Sequence, residues 1–322
     1  MNFQNDRYTL RMADGSDNEG IRQIFQSGSF GGNLDIRFMR DPQPYESFAA
    51  DGDSVKMMVI DDHAENRTIA VGGAVIRTEF LNGREQQCAY LTGLKIHPDY
   101  RHKIAFIGKA YQFLRGEIGK CDFTYTTILD NNTAAIKLLE KKHRNMPEYH
   151  YLGHYTTYCF YDGKRILPLE KDNLNGFDEL VRCYFSKLSL VPIHHDYRGF
   201  GEKHFYSYRE NGEIVACCFV GNQQATKQYK MCSYGGIYRL LYRLPTNALG
   251  YPRFPAPGTD IAYGAVSYLY VKNHDERLCK KFLRSVAAES GFSMLLWGGF
   301  ENNPLCSALN KMKTIQYGSR LY

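Results

Sequence analysis

A strand that runs into a double asparagine, which in turn opens a helix, occurs twice along this chain of 322 residues. The first copy reads FTYTTILDNNTAAIKLLEKK from Phe123, and the second reads FSMLLWGGFENNPLCSALNKMK from Phe292. Asn131 and Asn132 stand 171 positions before Asn302 and Asn303, more than half the chain length. The flanking elements repeat in the same order. Residues 69–76 (IAVGGAVI) are matched by residues 214–220 (IVACCFV), and LKIHPD at 94–99 is matched by LYVKNHD at 269–275, both leading into a helix. A period this long predicts two folded units of similar design, residues 1–162 and 163–322, in place of a solenoid of small repeats.

With 43% hydrophobic and 23% charged residues, the chain has the composition of a globular protein that folds without external staples. No apolar run approaches the roughly 18 residues of a membrane span, and residues 1–17 lack the apolar stretch of a secretory signal. The expected location is therefore the cytoplasm, with no membrane partner. Nine cysteines are scattered without a C-x-x-C pair, which fits neither a disulfide framework nor a zinc site, so they read as reduced, buried hydrophobes and no metal is expected. Residues 161–322 carry 21 Lys+Arg against 14 Asp+Glu, whereas residues 1–160 carry 19 against 20. The basic residues are dispersed, which argues against a nucleic-acid partner and for a solvated surface or a groove that takes an anion. The 25 tyrosines point to aromatic-lined surfaces or clefts.

Periodicity gives the elements. Residues 8–12 read as a strand and 17–26 as a helix, followed by a loop with one helical turn over 28–53. Residues 55–61 and 68–79 alternate as a hairpin, and 88–97 is a third strand that Pro98 ends. A helix over 104–118, a strand over 123–129, a helix capped by Asn132 and a closing strand over 149–161 complete an α/β unit, of α+β type, around a mixed, mostly antiparallel sheet. The second unit should hold a helix at 174–188, a hairpin at 205–220 and a bulge at Gly298 and Gly299. Residues 244–258 (LPTNALGYPRFPAPG) form a Pro- and Gly-rich loop with no counterpart in the first half.

The stretches LTGLKIHPDYRHKIAFIGKAYQFL (91–114) and ILDNNTAAIKLLEK (128–141) resemble the two core motifs of the GCN5-related N-acetyltransferases. In that family a strand ending in V-x-P leads to R/Q-x-x-G-x-G/A, whose backbone amides at a helix start bind the pyrophosphate of coenzyme A. The resemblance covers residues 8–161, and the second half keeps the element order with weaker motifs. It implies two tandem acyl-CoA N-acyltransferase-like domains, the second degenerate, with acetyl-CoA or another acyl-CoA as donor and a small-molecule or peptide amine as acceptor.

By position, the resemblance implies that Leu94, Lys95 and Ile96 face the pantetheine arm. Arg101, His102, Lys103, Ile104, Ala105 and Phe106 would form the pyrophosphate turn, and Asn132 would sit at the cleft. The turn lacks the family's glycines, Leu139 occupies the place of its thiolate-protonating Tyr, and Tyr90 stands where several members carry a Glu base. A phenol titrates near 10, so Tyr90 is the catalytic candidate as a positioning group more than as a base. His97 and the carboxylate of Tyr322 are alternative bases, the latter because in some tandem relatives the chain terminus returns to the cleft. In the second half, Asp275 and Glu276 stand where phosphates would arrive, which disfavours an anion there. Two other readings compete: a non-catalytic ligand-binding or regulatory protein that has lost the cofactor, and an aminoacyl or peptidyl transferase, which would need a strongly basic track.

Overall fold

A computed structural model describes residues 3–4, 7–101, 105–141, 146–194 and 199–322. The first half contains β1 (Phe3–Gln4), β2 (Tyr8–Met12), α1 (Asn18–Gln26), β3 (Leu34–Met39), α2 (Pro44–Ala49), β4 (Ser54–Asp62), β5 (Arg67–Leu81), β6 (Arg84–Ile96), α3 (Ala105–Ile118), β7 (Phe123–Tyr125), β8 (Thr127–Leu129), α4 (Thr133–Glu140) and β9 (Gly153–Phe160). The second contains β10 (Glu170–Lys171), α5 (Phe177–Cys183), β11 (Val191–Pro192), β12 (Lys203–Glu210), β13 (Glu213–Gly221), β14 (Gln228–Tyr234), α6 (Tyr238–Leu241), β15 (Gly264–Val271), α7 (Glu276–Glu289), β16 (Leu295–Phe300), α8 (Leu305–Asn310) and β17 (Thr314–Leu321).

Strand alternation explains the layering. On β4, Met57 and Val59 pack with Ile21, Ile24 and Phe25 of α1 and Phe48 of α2, while Met58 and Ile60 pack with Ala110, Phe113 and Leu114 of α3. One period-2 strand therefore serves a core on each face of its sheet. In the second half, α7 begins where the Asp275 side chain accepts from the Leu278 N–H, and it buries Cys279, Phe282, Leu283 and Val286 against the sheet. Those positions follow helical spacing, and each large apolar side chain contributes about 1.5–3 kcal/mol when fully buried.

The sheets exchange strands between the halves. One runs β1-β2-β4-β5-β6-β7, the second runs β10-β12-β13-β15-β16-β9-β17-β8, and β3 pairs with β14 in a third. Thus β9 of the first half lies between β16 and β17, and β17 from the end of the chain lies between β9 and β8.

Several expectations are corrected by these long-range pairings. The 28–53 region holds a full strand, β3, because its partner β14 comes from the other half. The expected strand 123–129 is two strands, split at Thr126 and belonging to different sheets. The long helix at 174–188 shortens to α5 and a separate turn at Phe185–Lys187. No bulge forms at Gly298 and Gly299: Leu295 to Phe300 pair continuously with Phe160 to Tyr155. Gly298 instead makes room for the Tyr155 ring, since a Cβ there would come within 2.2 Å of its hydroxyl. All nine cysteines are free thiols.

Candidate active site at the parting of two strands

β6 and β7 run parallel through three pairs, ending at Tyr90 opposite Tyr125. Then they part. The main chain of Thr126 turns away and exchanges two hydrogen bonds with Tyr322, at 2.9 and 3.0 Å, which starts the pairing of β8 with β17. Three residues beyond Tyr90, Gly93 adopts φ +70°, and the register of β5 against β6 shifts between Val71 and Gly73. Only glycine enters that region without strain, and a Cβ would meet the Phe48 ring at 2.9 Å. The bulge bends β6 away and opens a V whose arms are residues 91–96 and β8. Two contacts tie its point: Thr126 Oγ1 donates to Leu91 O at 2.9 Å, and the Tyr90 and Thr127 hydroxyls share a hydrogen bond of 2.7 Å.

Leu94, Lys95 and Ile96 lie on the arm of β6 that no described strand pairs on this side, and Leu94 is 45% exposed. The Lys95 side chain is committed elsewhere: its Nζ donates to Phe25 O and Gly28 O, the carbonyls at the C-terminal end of α1. Burial, followed by repulsion from Arg37 and Arg101, lowers its pKa to about 8. Arg101 reaches the same loop, its terminal nitrogen 3.6 Å from where a Gly28 Cβ would sit. Arg37 Nε is buried without a hydrogen-bond partner. Arg37 and Arg101 thus both approach Lys95 at the open end of β6, and three cations so close together fit an anion. Arg37 was missed in the sequence because β3 was read as loop; its alternation, LDIRFM, was the available signal.

The calls at His102, Lys103 and Ile104 lie outside the described residues. Ala105 and Phe106 begin α3. Asn132 is exposed just past the other arm, and its side-chain oxygen accepts from the Ala135 N–H as the N-cap of α4. Leu139 is buried in α4. His97 accepts from the Asp99 N–H and so caps the turn that follows β6.

Beneath Tyr90 lies a buried network. Tyr125 donates to Glu79, Arg77 donates to Tyr125 at 2.8 Å, and Arg77 pairs with Glu79 at 2.6 Å. Tyr90 packs at a tilt against Tyr125, ring centroids 5.1 Å apart, so its ring is held from below while its hydroxyl bonds across the point of the V to Thr127. Tyr155 of β9 and Tyr229 of β14 lie within electrostatic reach of Tyr90, and Tyr317 of β17 lies within reach of both. Tyr317 keeps 40% of its surface, yet burial raises its phenol well above the ordinary value. Tyr155 and Tyr229 are pushed up to about 12 by burial, so these phenols are neutral near pH 7. Between the halves, Asp51 pairs with Arg40 and with Lys227 at 2.9 Å. Burial opposes its charge, but Lys227 and Arg40 outweigh that and lower its pKa.

A small apolar cavity of about 20 Å³ lies under α3, between Ile69, Gly72, Leu94, Ile96, Tyr100 and Ile107. Among the described residues no group of His, Cys, Asp and Glu could hold a metal ion. No described helix is long and apolar enough to cross a membrane.

No protein-family model matches the sequence, and no curated protein matches it. Solved structures do match the fold. N-myristoyltransferase of Saccharomyces cerevisiae with bound myristoyl-CoA superposes with a TM-score of 0.61 at 11% identity, covering 99% of this chain and 83% of that one. A GCN5-related N-acetyltransferase from Anabaena variabilis gives 0.51 at 12% identity over 98% of this chain and 72% of its own. A probable N-acyltransferase from Enterococcus faecalis gives 0.51 at 9% identity over 97% and 71%. The chain has the fold of the GCN5-related N-acetyltransferases, an acyl-CoA N-acyltransferase-like α/β architecture of mostly antiparallel sheets flanked by helices.

Proposed function

We propose that the protein transfers an acetyl group from acetyl-CoA to the amine of a small molecule or peptide, at the V between β6 and β8. The observation that carries this reading is the open V with cations gathered at its end. Residues 94–96 offer unpaired backbone to a pantetheine arm, Arg101 and Arg37 face its phosphates, and Lys95 adds charge behind them. Asn132 would border the arm from the other side.

In the proposed step, a neutral amine attacks the thioester carbonyl carbon, and a backbone N–H of the β6 arm stabilises the oxyanion. The C–S bond then breaks, and the thiolate leaves with the proton the amine gives up. Tyr90, fixed by Tyr125 and Thr127, positions the reacting groups. The two units, residues 1–162 and 163–322, would divide the work, the first holding the donor and contributing Tyr155, the second supplying Tyr229 and Tyr317 to the acceptor wall.

The test is release of free CoA thiol from acetyl-CoA in the presence of a panel of primary amines and peptides with free N-termini. Turnover with at least one acceptor supports the reading. Absence of both turnover and acetyl-CoA binding would transfer support to the second reading, a non-catalytic ligand-binding or regulatory protein on this fold that has lost the cofactor, which is favoured by the commitment of Glu79 to Arg77 and Tyr125. No binding at all would refute the donor site.

A further inference from the structure

Residues 214–259 contain no Asp or Glu, a run of 46 positions that carries Lys227, Lys230, Arg239, Arg243 and Arg253. Lys227 is paired with Asp51 inside the molecule, but Arg239, Arg243 and Arg253 are exposed. The same stretch includes the Pro- and Gly-rich excursion that the first half lacks. Within it, backbone hydrogen bonds extend α6 at both ends, from the Ile237 carbonyl to the Leu244 N–H. On this short helical segment Tyr238, Leu241 and Tyr242 face inward against Tyr234 and Phe254. Ile237, Leu240 and Leu244, at i, i+3 and i+7, form the opposite face and are 66%, 66% and 47% exposed. Leu249 and Tyr251 follow, also exposed, with Lys313 donating to Leu249 O and its ammonium 5.4 Å from the Tyr251 ring.

An apolar ridge rimmed by arginines is the pattern of a segment that lies in a bilayer interface. We propose that α6 and the excursion after it dock this protein on an anionic membrane surface, with Ile237, Leu240 and Leu244 entering the acyl boundary and Arg239, Arg243 and Arg253 at the headgroups. Shape and charge select lipid over a protein partner. The aliphatics project outward instead of lining a groove, and a lipid surface needs no matching pocket. Of the nearby acids, Asp162 is paired with Arg284. Lying on a membrane is a different state from crossing one, and this inference is independent of the acyl-transfer reading.

The experiment is co-sedimentation of the full chain with phosphatidylcholine vesicles, with and without about 30 mol% phosphatidylserine, at physiological salt. The wild type should partition to the anionic vesicles, and Ile237→Glu with Leu240→Glu should lower that partition by about tenfold or more. Arg243→Glu with Arg253→Glu should abolish the preference for phosphatidylserine. All four positions are exposed, so melting temperatures should not move; if the paired Glu variant melts early, Leu240→Ser replaces it as the milder probe. Failure to sediment, equal partition to both vesicles, or a partition unchanged in the Ile237 and Leu240 variants would overturn the proposal. So would a wild-type dimer in analytical ultracentrifugation that the same variant converts to monomer, because the ridge would then be covered by a second copy.

Discussion

The two halves part their strands in the same way and then do opposite things with the opening. In the first, parallel pairing ends at Tyr90 and the backbone turns left-handed three residues later, at Gly93. In the second, pairing of β15 with β16 ends at Ala265 and the left-handed residue, again three positions on, is Tyr268 at φ +50°. Each bend faces a register shift in the neighbouring strand. Beyond the first bend the arm is partly accessible. Beyond the second, Leu269 and Val271 are buried with Trp297 in a closed core, and Tyr268 itself packs among Phe177, Phe185 and Phe219. The anion position differs too: Arg101 follows the first arm, while in the second Asp275 caps α7 with its own carboxylate. A helix start that carries its own anion has no use for another. One bend therefore leaves an accessible opening or becomes a packing device, according to what fills it.

The largest effect should come from emptying the filled half. Tyr268→Ala removes a buried ring and should cost about 3–5 kcal/mol of stability in denaturant titration, while acetyl-CoA affinity stays the same. A loss of affinity to match would show that the second opening takes part in donor binding. Next, Arg37→Ala with Arg101→Ala should weaken acetyl-CoA binding about a hundredfold, roughly 2.7 kcal/mol, by calorimetry. Wild-type affinity in that variant would place the phosphates elsewhere.

A smaller change is expected at Tyr90. Removing its hydroxyl in Tyr90→Phe should slow turnover about tenfold, roughly 1.4 kcal/mol, with the rate still rising with pH as more amine becomes neutral. A loss of several orders of magnitude with the pH dependence abolished would make this phenol the proton carrier. The subtlest effect concerns Lys95. Its folded pKa of about 8 lies below the ordinary 10.5, so its charge destabilises the fold below about pH 8, and that cost fades as pH rises toward 10.5. A bound polyanion raises the value again. Binding should therefore take up part of a proton near pH 8 and weaken as the pH climbs past it, which calorimetry in buffers of different ionisation enthalpy would detect.

What could be seen in the sequence was local. The Asn132 cap, the hairpin of β4 and β5 and the helix of α7 each declare themselves within about a dozen residues through spacing and end signals. The strand exchange was hidden because β9 read as an ordinary closing strand and β17 was not read at all, and their mutual register is fixed only when both halves have folded. For the same reason β3 passed as loop, taking Arg37 with it. The Asp51, Arg40 and Lys227 group joins positions far apart in the chain, and the tyrosine wall was visible only as an excess of tyrosine. Thr126, where the strands part, carries no signal of its own; what turns it away from β6 is the arrival of Tyr322.

The central claim, that the first opening holds the donor and the second does not, is tested most directly by hydrogen exchange with and without acetyl-CoA. The account predicts slowed exchange at the amides of residues 91–96 and 130–135, with residues 266–271 and 297–303 unchanged. Protection appearing in the second set, or in neither, would contradict it.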